Sequence, residues 1–269
     1  MSARLWLVGL CVCLCPGLAC VGNAGGGTVD FPVSAAGPAD AVAGQPLSFT
    51  QDGWDITLTQ ATLHVGGVYM AESPPVSGGQ VTGCYLPEMD VNVVQETSGL
   101  DVDLLSPVAQ PFPALGHGIT LPTAGIGQVW LVHSQSNGAD INTASDRMPM
   151  LVVVGTAAQS GTTFSFSGSI TIGTNHQTAG TLAGGSPICK QRIITPITPV
   201  PLVQESGGLL LRIDPRAFFN FDFKDRLTAS PTAAYTFSDN PMSWDAVSQD
   251  LYMNLHSTAP YSFSWVAVP

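Results

Sequence analysis

From Thr162 to Ile172 the chain reads TTFSFSGSITI, with Phe164, Phe166, Ile170 and Ile172 on one parity and serine or threonine on the other. An apolar residue at every second place is the period of a strand with one face in a core and the other in water. A helix would scatter the same side chains around its axis. The two-residue period recurs at Trp54, Ile56 and Leu58 against Asp55 and Thr57, and at Leu100, Val102 and Leu104 against Asp101 and Asp103. It recurs again at Met89, Val91 and Val93, and at Tyr261, Phe263 and Trp265. The run that starts at Trp54 continues through Leu63 and Val65 on the opposite parity, which predicts a β-bulge near Gln60–Thr62. Gly66–Gly67 then bends the chain.

Other segments agree. Met150 to Val154 is apolar on both faces and reads as a central strand, and Ser160–Gly161 predicts a hairpin from it into the Phe164 strand. Val129 to His133 is a compact apolar strand, and further strands are expected near 191–195, 208–213, 233–238, 249–256 and 260–268, the last two as a hairpin over Ser257–Pro260. Helix starts are few. Asp214–Pro215 reads as an N-cap followed by proline, leading to Phe219, and Asn240–Pro241 is a second start ahead of Trp244 and Val247. The expectation is all-β: an antiparallel β-sandwich or barrel-like sandwich of about ten to twelve strands, with one or two short helices. Residues 1–20 read as a signal peptide, 21–46 as a flexible Gly/Ala/Pro-rich tether, and 47–269 as the β-sandwich domain.

Charge restricts the partners. Eight Lys and Arg face nineteen Asp and Glu, for a formal net charge of −11. Such a chain repels phosphate backbones and offers no basic patch to anionic lipid. Nucleic acid is therefore not an expected partner.

The N-terminus supplies an address. Arg4 precedes the apolar run Leu5–Leu14, which is too short to span a bilayer and stay there. Pro16 and Gly17 break it before Leu18, Ala19 and Cys20. That ending resembles the lipobox of bacterial lipoproteins, whose cysteine is acylated and becomes the new N-terminus, although Gly17 stands where the family prefers a bulky aliphatic residue. The glycine-rich stretch VGNAGGGT that follows suits a tether. Ordinary signal cleavage after Ala19 or Ala24 also fits the small residues. The expected partner is thus a membrane, reached through a lipid on Cys20, in the cell envelope and facing the periplasm or the surface. Cys11, Cys13, Cys15 and Cys20 belong to the signal, which leaves Cys84 and Cys189 in the folded part. In an oxidising compartment these two suggest one disulfide. Closing a loop of about a hundred residues would contribute ~4–5 kcal/mol in the chain-entropy account.

Chemistry is harder to find. No GxSxG, HExxH, SxxK, P-loop or paired CxxC occurs. The histidines are His64, His117, His133, His176 and His256. None is paired at i, i+2 to aim two imidazoles at one ion. His64 and His133 lie in apolar strands and are the candidates for a metal site assembled across strands, with copper the metal considered. Met148 and Met150 flank Pro149, and Met150 reads as the start of a buried strand. The loop Asn137–Asp146 carries oxygen ligands, but Ala144 breaks the alternation a calcium loop needs. Asp101 and Asp103 share a strand face and read as exposed. Trp54, Trp130, Trp244 and Trp265 would form a sugar platform only if exposed, and three of them sit in alternating strands as core residues do.

The segments WDITLTQATLHVGGVYM (54–70), LRIDPRAFFNFDF (211–223) and YSFSW (261–265) resemble those of a loosely defined group of uncharacterised bacterial surface lipoproteins. The group is distantly similar to periplasmic copper-binding partner proteins of di-haem peroxidases, which use histidine and an oxidised tryptophan as ligands; no ligand position carries over to this chain. The resemblance implies a lipid-anchored β-rich domain over about 47–269. The leading functional expectation is a non-enzymatic binding or structural module. A copper-binding protein and a hydrolase on a β scaffold are the alternatives.

Overall fold

The computed structural model describes residues 27–71, 92–96, 98–120, 125–131, 133, 148–171, 193–224, 233–238 and 245–267. Sixteen strands lie within them: β1 (Thr28–Phe31), β2 (Val33–Ala36), β3 (Leu47–Gln51), β4 (Trp54–Val65), β5 (Gly67–Ala71), β6 (Asn92–Glu96), β7 (Leu100–Asp103), β8 (Gln110–Pro111), β9 (Gly116–Ile119), β10 (Ile126–Trp130), β11 (Leu151–Gln159), β12 (Thr162–Ile170), β13 (Ile193–Ile197), β14 (Gly208–Ile213), β15 (Tyr235–Phe237) and β16 (Tyr261–Val266). The helical elements are a 3₁₀ helix at Pro215–Phe219 and α1 (Ala246–Leu255).

The strands form three sheets. One runs β1–β9–β6–β5–β10–β13, the second β15–β12–β11–β4–β3 with β7 also on β4, and the third β16–β14–β2–β8. Pairing is antiparallel except for β12–β15 and β14–β2. Among the described residues no sheet closes on itself, so the all-β expectation resolves to a sandwich rather than a barrel. One continuous apolar core draws on all three sheets.

β4 organises the second sheet. Trp54, Ile56, Leu58, Ala61, Leu63 and Val65 are each at most 1 % exposed, while Thr59 and Gln60 are both exposed. The parity change therefore lies at Thr59, one residue before the expected place. The register against β11 skips there: Gly155 faces Leu58 and Val154 faces Gln60, so Thr59 has no opposite number. The hairpins on either side close through two-residue turns, Asp52–Gly53 and Ser160–Gly161, with all four residues at positive φ. That is the turn twist which matches the strands it joins. β11 is central, as expected from its apolar run. At Gly66 the chain passes from β4 directly into β5 in another sheet, pinned by the Gly66 N–H on the Trp130 carbonyl at 2.8 Å.

Two expectations are corrected. Residues 28–36, read as part of a tether, form β1 and β2, with Phe31, Val33, Ala35 and Ala36 no more than 2 % exposed. Their partners, β9 and β14, lie far along the chain, and Pro32 separates two strands that enter different sheets. Described β structure thus reaches back to Thr28 rather than starting near Leu47. The strand expected at 249–256 is α1. Asp245 caps it, accepting the Ser248 N–H. Val247, Ser248, Leu251, Tyr252 and Leu255 are buried, a helical spacing with no alternation. The Asp214–Pro215 start does open the 3₁₀ helix to Phe219. Strands also outnumber the expected ten to twelve, because the short paired segments β1, β2 and β8 carry little alternation of their own, whereas β15 falls in the strand expected near 233–238.

Candidate functional site

The outer edge of β4 is covered by two strands placed end to end. β3 pairs with it as far as Leu58, and β7 takes over from Thr62. The bulged residues face the gap between them. A hollow of about 400 Å³ occupies this gap, lined by Gly44, Gln45 and Pro46 from the approach to β3, by Thr59, Gln60 and Thr62 of β4, and by Asp103 and Leu105 from the end of β7. A bulge bends its strand and re-aims the side chains beside it, and such features recur next to binding and active sites.

The walls are fixed from behind. The Gln110 side-chain amide accepts the Asp103 N–H at 2.8 Å and donates to the Asp103 carbonyl at 2.9 Å, while Asp103 Oδ1 accepts the Leu105 N–H at 2.9 Å. The opposite loop, 37–46, is held at its start by the Gly37 N–H on Ser106 O at 2.8 Å and by Arg212, which donates to Gly37 O at 3.0 Å. Gly37 sits so close to β7 that a Cβ there would lie 2.2 Å from the Leu104 carbonyl oxygen. Arg216 completes the support. It donates to both carboxylate oxygens of Asp40 at 2.8 and 3.0 Å, and it is bound to Asp214 of the 3₁₀ helix cap. The hydrogen bond from Arg216 holds the Asp40 carboxyl below the usual carboxylate range. The lining itself is unspent: the side-chain amides of Gln45 and Gln60 and the Thr62 hydroxyl hydrogen-bond to no described residue, whereas the Thr59 hydroxyl donates to Val154 O at 3.2 Å.

A second cluster adjoins the hollow. Thr62 faces Asp103 across the β4–β7 ladder, and two residues on His64 faces Asp101, so both pairs stand on the same sheet face. His64 Nδ1 lies 2.6 Å from Asp101 Oδ1. The His133 ring stacks on His64 with centroids 3.7 Å apart and planes 22° from parallel, and His133 Nε2 donates to Pro149 O at 3.0 Å. The two candidate ligands therefore do meet. Metal-ligating lone pairs lie in the imidazole planes, however, at about 2.0–2.1 Å from the ion. Two nearly parallel planes at stacking distance do not share such a point, so one ring would have to turn for both to hold one ion. Among the described residues, no three His, Cys, Asp or Glu side chains gather around a common ion position.

The remaining candidates have structural surroundings. Exposed His117 pairs with Asp30 across β1 and β9 at 2.6 Å, and His256 bonds the Tyr252 carbonyl at the end of α1. Met150 is buried and Met148 exposed, as the strand reading of Met150 requires. Asp101 and Asp103 are both exposed. Trp54 and Trp130 are core residues, and Trp265 packs edge-on against Phe31. Ser248 and Asp245 meet at the Tyr235 hydroxyl and build a helix cap. Cys20, the Cys84–Cys189 pair, His176, Trp244 and the loop Asn137–Asp146 lie outside the described residues. Among the described residues no helix is long and apolar enough to cross a membrane.

The hollow was not foreseen. Its lining comes from three separate segments, and only the parity change in β4 pointed toward it. No family model matches this chain, and no curated protein or solved structure matches it either.

Proposed function

We propose that this chain is an exported β-sandwich protein, tied to a membrane of the cell envelope by a lipid on Cys20, that serves as a binding module. The observation that carries the binding part is the hollow at the Thr59 bulge: solvent-open and lined by the Gln45 and Gln60 amides and the Thr62 hydroxyl, which hydrogen-bond to no described residue. The address rests on the Arg4–Cys20 segment, and a disulfide between Cys84 and Cys189 belongs to the same reading. Because the first described strand starts at Thr28, the spacer after Cys20 is short. The seven residues between Cys20 and Thr28 make eight Cα–Cα steps, at most about 28 Å when fully extended, so the anchored domain would ride close to the bilayer. Replacing Cys20 with Ser should move the protein from the membrane fraction to the soluble one, with loss of the lipid mass; unchanged partitioning would sink the anchor.

The second reading, a copper-binding protein, is favoured by the meeting of His64 and His133. It expects one copper per chain in untagged protein and its loss in His133→Ala. A preparation that takes up no copper would remove it.

A further inference from the structure

We infer that the hollow between β3 and β7 binds a neutral polyhydroxylated ligand of the carbohydrate class. The inference rests on the binding reading above and names the ligand chemistry of that site.

The bulge that builds the hollow is not needed by the core. Without Thr59, β4 would read WDITLQATLHV, with Trp54, Ile56, Leu58, Ala61, Leu63 and Val65 in unbroken alternation. The register on either side would also join smoothly, since Leu58 faces Gly155 and Gln60 faces the preceding Val154. The extra residue thus sets neither the hydrophobic phase nor the pairing. What it does is present Thr59 and Gln60 to the gap.

The lining chooses the ligand. Gln45 and Gln60 each offer an amide donor and acceptor, Thr62 a hydroxyl, and Asp103 a carboxylate oxygen beyond the one bonded to Leu105. Vicinal hydroxyls, which donate and accept at once, satisfy such a set. No Lys or Arg lines the hollow and Asp103 does, so an anionic ligand would meet a carboxylate with no cation to offset it. A purely apolar ligand would strand the amides. Pro46 and Leu105 supply the small aliphatic surface that a sugar ring lies against. The volume falls within the ~300–1,000 Å³ range of small-ligand sites.

The test is saturation-transfer NMR on the full mature chain, with glucose, N-acetylglucosamine, cellobiose and lactose as neutral probes. Glucuronate serves as the anionic counterpart and acetyl-triglycine amide as a peptide probe. At least one neutral saccharide should bind in the millimolar range, with glucuronate about tenfold weaker than glucose or more. Gln60→Ala and deletion of Thr59 should each weaken binding by about tenfold or more, with unchanged far-UV circular dichroism. Asp103→Asn, which keeps the oxygen bonded to Leu105, should do the same. No neutral saccharide binding at about 20 mM, undiminished binding by Gln60→Ala, or binding of the peptide amide alone would overturn the inference. Peptide binding would still leave a binding module, and the Cys20→Ser fractionation stands apart from either result.

Discussion

Deleting Thr59 is an unusual perturbation, because removing a residue from the middle of a buried strand ordinarily destroys it. A one-residue slip turns every following side chain to the other face. Here the deletion should be tolerated, since Thr59 has no partner on β11 and both flanking registers already meet in phase. The loss is one hydroxyl bond from Thr59 to Val154 O, exposed and worth about 0.5 kcal/mol. Against it stand one residue fewer to order, ~1–2 kcal/mol, and a continuous cross-strand pairing, ~0.2–1 kcal/mol. The deletion variant should be at least as stable as the parent, by about 1–2 kcal/mol. The control is deletion of Ser165 in β12, which pairs with β11 without a skip. That change must expose either Phe164 or the pair Phe166 and Ile170, all at most 2 % exposed, at ~3–5 kcal/mol or more. Urea midpoints followed by far-UV circular dichroism, at unchanged m-value, compare the two. A Thr59 deletion as damaging as the Ser165 deletion would show that the bulge serves the core, and would remove the argument that it exists for the hollow.

Three further outcomes are expected. Trp54 is fully buried, donates its indole N–H to Asp222 Oδ1 at 2.8 Å, and meets Phe164 and Phe223 edge-on; Trp54→Phe should cost ~2–3 kcal/mol, and a cycle with Asp222→Asn should show coupling of ~1 kcal/mol. Gly37→Ala drives a Cβ into the Leu104 carbonyl and should destabilise by ~1–3 kcal/mol, with loss of hydrogen-exchange protection at the amide of position 37. Because the Arg216 hydrogen bond lowers the folded pKa of Asp40, the stabilisation it gives is full above the unfolded value and is lost as pH falls through the folded one. Carboxyl NMR should place the Asp40 midpoint below that of an ordinary aspartate, and Arg216→Met should return it to the ordinary range.

What the sequence disclosed follows from the range of each signal. The alternation at Trp54–Leu58 and Phe164–Ile170 is a property of neighbouring residues, so it was legible, and the parity change located the bulge to within one residue. β1 and β2 were not legible, since TVDF and VSAA become strands only because β9 and β14 accept them. In α1 the signal was present but misread: Val247, Leu251 and Leu255 recur every fourth place behind a cap at Asp245, while the helix start expected at Asn240–Pro241 lies outside the described residues. The meeting of His64 on β4 with His133, which lies beyond the end of β10, depends on how distant segments lie across the fold, and each ring is held by a hydrogen bond, to Asp101 and to the Pro149 carbonyl. No local pattern encodes either. The hollow is less local still, being the space left where two edge strands stop short of each other.

The place of β2 bears on when this chain is able to fold at all. β14 lies between β2 and β16, with Leu209 beside Val33 on one side and Trp265 on the other. A polypeptide emerging N-terminus first holds Val33 and Ala35 of β2 without their β14 partner until residues 208–213 have followed. Pairings between such distant segments are slow to form, because loop closure precedes any gain from the contact. The consequence is a long interval in which β2 lacks its β14 neighbour. Threading through a narrow pore requires the same condition, and a chain bound for the far side of a membrane would be kept ready for it by the order of its own strands.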